Sequence, residues 1–185
     1  LRNRLLPLVS LRRMFNLPVR DADEHSRIVV LALGAATVGV VMDTVNEVLR
    51  VPRAGVEAMP GMLTRDADLS DITEICRLDG GKRLVSVISA RNMFRHSAIR
   101  EALEVGDQMR TSDQDEVAAA AEDEGGTDDE EQVVVFRLDR EEFGVPIDSV
   151  QEIVRVPEQL THVPRTPAFV EGVINLRGAV LPVID

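Results

Sequence analysis

Residues 133–157 read VVVFRLDREEFGVPIDSVQEIVRVP. A β-branched run, a polar turn and a second apolar run carrying Gly144 predict a strand, a tight turn and another strand. A shift of 105 positions finds the pattern again, since residues 29–52 read VVLALGAATVGVVMDTVNEVLRVP. Eleven of the 24 positions from 134 to 157 are identical, including Gly144 and Gly39, Asp148 and Asp43, Glu152 and Glu47, and the closing Arg-Val-Pro. An internal repeat of this kind constrains the fold more than any single motif.

A weaker echo has a different offset. Residues 1–10, LRNRLLPLVS, return at 176–185 as LRGAVLPVID, with Leu, Arg, Leu and Pro coincident at a shift of 175. Two offsets imply nested repeats, the long one of a whole domain and the short one of half a domain. The expectation is a chain that enters midway through one domain and leaves midway through the next.

Outward from the two copies, residues 28–33 and 38–42 predict paired strands around a turn at 34–37. Residues 43–51 carry Val45, Val48 and Val51 at a three-residue spacing that fits either an extended segment or one helical turn. Residues 52–70 read as irregular, with Pro60-Gly61 marking a turn. Residues 72–78 and 84–88 flank Asp79-Gly80-Gly81-Lys82, a hairpin whose glycines supply positive φ. Ser89 then reads as an N-cap for a helix over 91–104, with Met93, Phe94, Ile99 and Leu103 on its apolar side. After the second copy, residues 159–167 read as a loop, 168–175 as helix-like and 179–184 as a strand. Many short strands, Gly/Pro punctuation and one terminal helix predict a mainly β protein of small barrels.

Hydrophobic residues make up 44% of the chain, enough for a globular core, but with five Phe and no Trp or Tyr that core must be aliphatic. The same scarcity argues against single-stranded nucleic acid, which needs stacking platforms. The net charge is −11, and residues 106–132 carry eleven acids and one base, Arg110. The rest has no large basic excess, so a phosphate-backbone partner has little support. Dense like charge at low hydrophobicity predicts a disordered linker over 105–132, with an acidic regulatory tail as the rival reading. The lone Cys76 fits a reducing compartment, and no apolar run is long enough to insert into a membrane.

Catalytic chemistry is hard to find. His25, His96 and His162 lie far apart, and none has a Cys or carboxylate at ligand spacing, so each reads as a surface histidine. Cys76, inside a strand, reads as a small buried hydrophobe. No cofactor is expected. Glu152, Arg155 and Arg177 stand out instead, polar residues set among apolar or turn neighbours. Glu152 and Arg177 could form a structural ion pair, or present a polar rim around an apolar docking groove.

At these residues the chain closely resembles the CheW-like family of chemotaxis coupling proteins. The resemblance runs through Phe143-Gly144-Val145, Val150-Gln151-Glu152-Ile153, Pro167-Ala168-Phe169-Val170-Glu171-Gly172-Val173, Asn175-Leu176-Arg177-Gly178 and Leu181-Pro182-Val183-Ile184-Asp185. Residues 39–45 and the hairpin around Asp79–Lys82 resemble the family's later half. The family fold that this implies is a pair of SH3-like five-stranded β-barrels around a shared core. The implied organisation is the C-terminal part of a first domain at 1–104, a linker at 105–132 and the N-terminal part of a second at 133–185. A linker of that length would let 1–104 and 133–185 complement each other as one permuted domain, with 1–10 and 176–185 competing for one strand position.

The function implied is a cytoplasmic, non-catalytic adaptor. It would bridge the cytoplasmic tip of chemoreceptors (methyl-accepting chemotaxis proteins) to the regulatory domain of the histidine kinase CheA. Val150, Glu152 and Arg177 fall where the family places those contacts. The first copy departs from the pattern, with Arg2-Asn3 in place of Arg177-Gly178. Two other readings stay open at this point: the regulatory domain of a CheA-type kinase, and a small-molecule enzyme built on β-barrels.

Overall fold

The structure is a computed structural model that describes residues 4–33, 36–60, 71–93, 130–158, 160–162 and 164–176. Eleven strands dominate it: β1 Arg4–Ser10, β2 Arg27–Leu33, β3 Ala36–Met42, β4 Thr44–Pro52, β5 Val56–Ala58, β6 Ile72–Leu78, β7 Arg83–Ile88, β8 Glu130–Leu138, β9 Glu141–Pro146, β10 Val150–Arg155 and β11 Val170–Leu176. Two short helices, α1 Leu11–Met14 and α2 Ala90–Met93, follow β1 and β7. The strands form a five-stranded sheet, β10-β2-β3-β1-β11, and a six-stranded sheet, β4-β8-β9-β7-β6-β5.

The repeat read from the sequence governs both sheets. Each copy gives its hairpin to one sheet and its third strand to the other, so β4 pairs with β8 and β10 pairs with β2. Registers match at the shift of 105. Val29 faces Val40 and Val134 faces Val145, while Glu47 faces Val135 and Glu152 faces Val30. Even the irregularity repeats, with a register shift between Val45 and Glu47 and another between Val150 and Glu152. In each sheet the hairpin's second strand also has a parallel neighbour, β1 beside β3 and β7 beside β9.

Strand alternation sorts the apolar residues into three cores. Ile28 and Val30 turn one way, into a cluster with Leu6 and Leu8; Val133 and Val135 do the same with Val51, Cys76, Val85 and Val87. Val29, Leu31, Val134 and Phe136 turn the other way into a larger core shared by the two sheets. Phe143 joins it, stacking on Phe136 and Phe15 with ring centroids 6.0 and 5.6 Å apart.

Each sheet is drawn round in an SH3-like manner. β4 passes through a 3₁₀ turn at Arg53–Gly55 into β5, which pairs with β6 at the other end of the sheet. On the other side, Thr161 bridges to Val173 of β11, and Thr161 lies 105 residues after Val56. Gly39 and Gly144 leave room for neighbouring core side chains to pack directly over β3 and β9. A Cβ on Gly39 would lie 2.5 Å from Leu8 Cδ2, and one on Gly144 would lie 2.3 Å from Val133 Cγ1.

The segments before and after the acidic stretch therefore interleave, sharing both sheets and the large core. β1 fills the place between β3 and β11; its echo at 176–185 lies outside the described residues beyond Leu176.

Several expectations need correction. Residues 168–175 are not helical, because β11 over Val170–Leu176 pairs antiparallel with β1 and sheet pairing overrides the short helical spacing. Residues 52–70 are not all irregular, since β4 runs to Pro52 and β5 forms at Val56–Ala58. The ambiguous 43–51 is extended where β8 supplies a partner. β8 begins at Glu130, three residues inside the stretch read as linker, and Gln132, Glu131 and Glu130 face Arg50, Val51 and Pro52. The hairpin at 79–82 forms as expected, with φ of 66° at Gly80 and 89° at Gly81. Ser89 caps α2, its Oγ accepting from the Asn92 amide at 3.3 Å. The predicted helix beyond Met93, residues 105–129, the turn at 34–35 and the strand at 179–184 lie outside the described residues.

Candidate protein-docking face

Val150 and Glu152 both lie on β10, an end strand of the five-stranded sheet beside β2. The register shift between them gives them different surroundings. Val150 packs against the shared core, while Glu152 is half-buried opposite Val30. Among the described residues no hydrogen bond or ion pair engages the Glu152 carboxylate. Arg177 lies outside the described residues, and with it both alternatives for its relation to Glu152, ion pair or polar rim. Arg155 closes β10 as an exposed residue opposite Arg27.

The equivalent carboxylate of the first copy is in a different situation. Glu47 Oε1 accepts from Arg83 Nη2 at 2.8 Å, and the same guanidinium grips Glu142 at 2.6 and 3.1 Å. Asn46 adds a bond to Glu142 at 3.3 Å. The Arg83 hydrogen bonds hold Glu142 below the usual carboxylate range against its partial burial.

A second network ties the other repeated carboxylate. Arg12 donates two hydrogen bonds to Asp43, at 2.8 and 2.9 Å, and a third to the Pro18 carbonyl at 2.5 Å. The Asp139 amide donates to Asp43 at 3.0 Å, and the Asp139 carboxylate sits 3.6 Å from Arg12. Burial works to raise the Asp43 carboxyl, but these bonds and the charges of Arg12 and Arg20 outweigh it and hold it below the ordinary range. This buried pair joins α1, the β3–β4 bend and the β8–β9 turn. Asp148, its counterpart, is exposed. The partners Arg12 and Arg83 escaped the sequence reading because they lie 31 and 36 residues from Asp43 and Glu47, and no local pattern signals pairing at that range.

Among the described residues, catalytic groups do not converge. Burial, then the charges of Glu131 and Glu74, push the Cys76 thiol up to about 11, so it is not a thiolate nucleophile at neutral pH. His25 is exposed, and exposed His162 lies 3.2 Å from the Glu171 carbonyl. Among the described residues no group of three or more His, Cys, Asp or Glu could hold a metal ion, and no helix is long and apolar enough to cross a membrane.

The CheW-like domain family matches residues 1–98 and 132–185, the two segments that interleave. The chain belongs to the CheW-like domain family. It is 48% identical over 52 residues to the chemotaxis protein CheW of Klebsiella aerogenes, covering 28% of this chain and 31% of that protein. It is 53% identical over 53 residues to the probable chemotaxis protein CheW of Rhizobium etli, covering 29% and 34%. A longer match, 28% identical over 103 residues, covers 56% of this chain and 64% of the chemotaxis protein CheW of Bacillus subtilis. The chain thus spans about a third of the first two relatives. No solved structure matches it. CheW-like proteins are non-catalytic signalling adaptors of chemotaxis, and the mainly β, two-sheet architecture accords with membership.

Proposed function

We propose that this chain is a cytoplasmic chemotaxis adaptor that couples the signalling tip of chemoreceptors to the regulatory domain of the histidine kinase CheA. The observation carrying this reading is the CheW-like match over both interleaved segments. In the same reading, residues 1–104 are the C-terminal part of one CheW-like domain, 133–185 the N-terminal part of the next, and 105–132 the acidic connection. Val150, Glu152 and Arg177 form the docking site. An apolar Val150 beside a carboxylate with no partner among the described residues suits a protein contact with a hydrophobic centre and a polar rim.

Titration calorimetry of the chain against a receptor-tip fragment and against the kinase regulatory domain tests this. Saturable binding, weakened at least about tenfold by Glu152→Ala or Arg177→Ala at unchanged melting temperature, is the expected result. Failure of the unaltered chain to bind either partner would overturn it.

A further inference from the structure

β1 lies between β11 and β3, antiparallel to the first and parallel to the second. Its pairing with β11 sets Arg4 opposite Leu176, Leu6 opposite Ile174 and Pro7 opposite Val173. Leu6 and Leu8 are buried with Ile28 and Val30, while Val9 and the following Leu11 enter the large core. The slot is thus specified by a register and by an alternation of apolar residues.

Residues 179–185, AVLPVID, lie outside the described residues, but their sequence meets both specifications. At the shift of 175, Leu181, Val183 and Ile184 match Leu6, Leu8 and Val9, and Pro182 matches Pro7. Volume is conserved, since Val for Leu removes a methylene and Ile for Val restores it. The register is within reach as well. Ala179 in the place of Arg4 faces Leu176, which leaves only Arg177-Gly178 between them. Two-residue loops containing glycine are the commonest hairpin connection. One chain therefore carries two strands suited to one slot.

We propose that β1 and residues 179–185 exchange in this slot. α1 follows β1 directly, with Ser10 as its N-cap, and Arg12 of α1 holds Asp43. Withdrawal of β1 draws α1 away with it and releases Asp43. The exchange is thus a conformational switch that couples the end of β11 to the buried ion pair of the first copy. It concerns this chain's own strands and holds whether or not a receptor or kinase binds.

Leu8→Asp bars β1 from the buried slot, and Val183→Asp bars its rival. In urea unfolding of the full chain, Leu8→Asp should keep a cooperative transition at a lowered midpoint. Val183→Asp should leave the midpoint unmoved, and the two together should abolish the transition. A disulfide gives a second test that does not depend on a destabilised variant. Asn175→Cys with Val180→Cys places two thiols opposite each other in the Arg177-Gly178 hairpin, with Cα atoms about 4.5 Å apart and within disulfide reach. Cys76 is buried and does not compete. Oxidation should open Arg12, only 8% exposed while β1 is in place, to cleavage by trypsin, and reduction should protect it again. An Arg12 that stays protected in the oxidised chain would overturn the proposal, as would a double variant that unfolds no differently from Leu8→Asp alone.

Discussion

The two copies of the repeat carry the same acidic residues in the same register and put them to different uses. In the first copy, Asp43 is clamped by Arg12 and Glu47 by Arg83. In the second, Asp148 is exposed and Glu152 has no partner among the described residues. Arg91 stands second in α2 as Arg12 stands second in α1, yet it is exposed and makes no ion pair among the described residues. Arg12 is also held by the Pro18 carbonyl and faces Asp139, and the residue matching Asp139 in the other copy is Gly34. Conserving a motif between halves of one chain thus does not conserve its role. Carboxylates held by internal arginines tie elements of the fold together, and Asp148 and Glu152 have no such hold among the described residues.

The largest effect should come from the buried pair. Asp43→Ala leaves the Arg12 guanidinium buried without its carboxylate and should cost about 3 kcal/mol in urea unfolding. Asp148→Ala should stay within about 0.5 kcal/mol. Similar costs at the two positions would contradict the division of roles. Next come the glycines. Gly144→Ala and Gly39→Ala should each cost about 1–3 kcal/mol by overpacking. Their costs should be similar, because each added methyl meets a stiff β-branched side chain, Val133 Cγ1 at 2.3 Å from Gly144 and Ile28 Cγ2 at 2.8 Å from Gly39.

A smaller effect is expected at the half-exposed network. Glu47→Ala should cost under about 1 kcal/mol, with much of the loss shared with Arg83→Ala in a double-mutant cycle. Glu152→Ala should leave the unfolding midpoint unmoved.

The pH dependence should follow the same asymmetry. Asp43 titrates below its unfolded value, so its stabilisation is complete above the ordinary carboxylate range and is lost as pH falls through its lowered pKa. Asp43→Asn should flatten the acid limb of the stability curve, and an unchanged limb would refute the assignment. Glu131 has the opposite sign. Burial, Glu74 and Asp148 raise it, so it costs stability once ionised. Glu131→Gln should raise the melting temperature slightly at neutral pH, with the gain vanishing on acidification.

Much of the architecture was legible in the residues. The shift of 105 anticipated matching hairpins. The Asp79–Lys82 turn followed from the positive φ its glycines allow. Residues 168–175 misled because Phe169, Val170, Val173 and Ile174 have a spacing compatible with helix or strand, and only β1 alongside decides between them. β5 is three residues long and exists through its pairing with β6, so no local pattern could reveal it. Of the candidate site, Glu152 stood out as a carboxylate between apolar neighbours and Val150 came from the family resemblance, but their place on one strand, separated by a register shift, was not readable.

The sequence by itself determined that the chain is a β protein built on a half-domain repeat of CheW-like type. Strand alternation, turn chemistry and internal identity are local properties that survive in a string of residues. The tertiary structure alone decided that the halves exchange their third strands, and that Arg12 and Arg83 reach the first copy's acids and not the second's. Those outcomes depend on long-range pairing and on which side chains a rolled sheet brings within hydrogen-bonding distance, and separation along the chain carries no record of that.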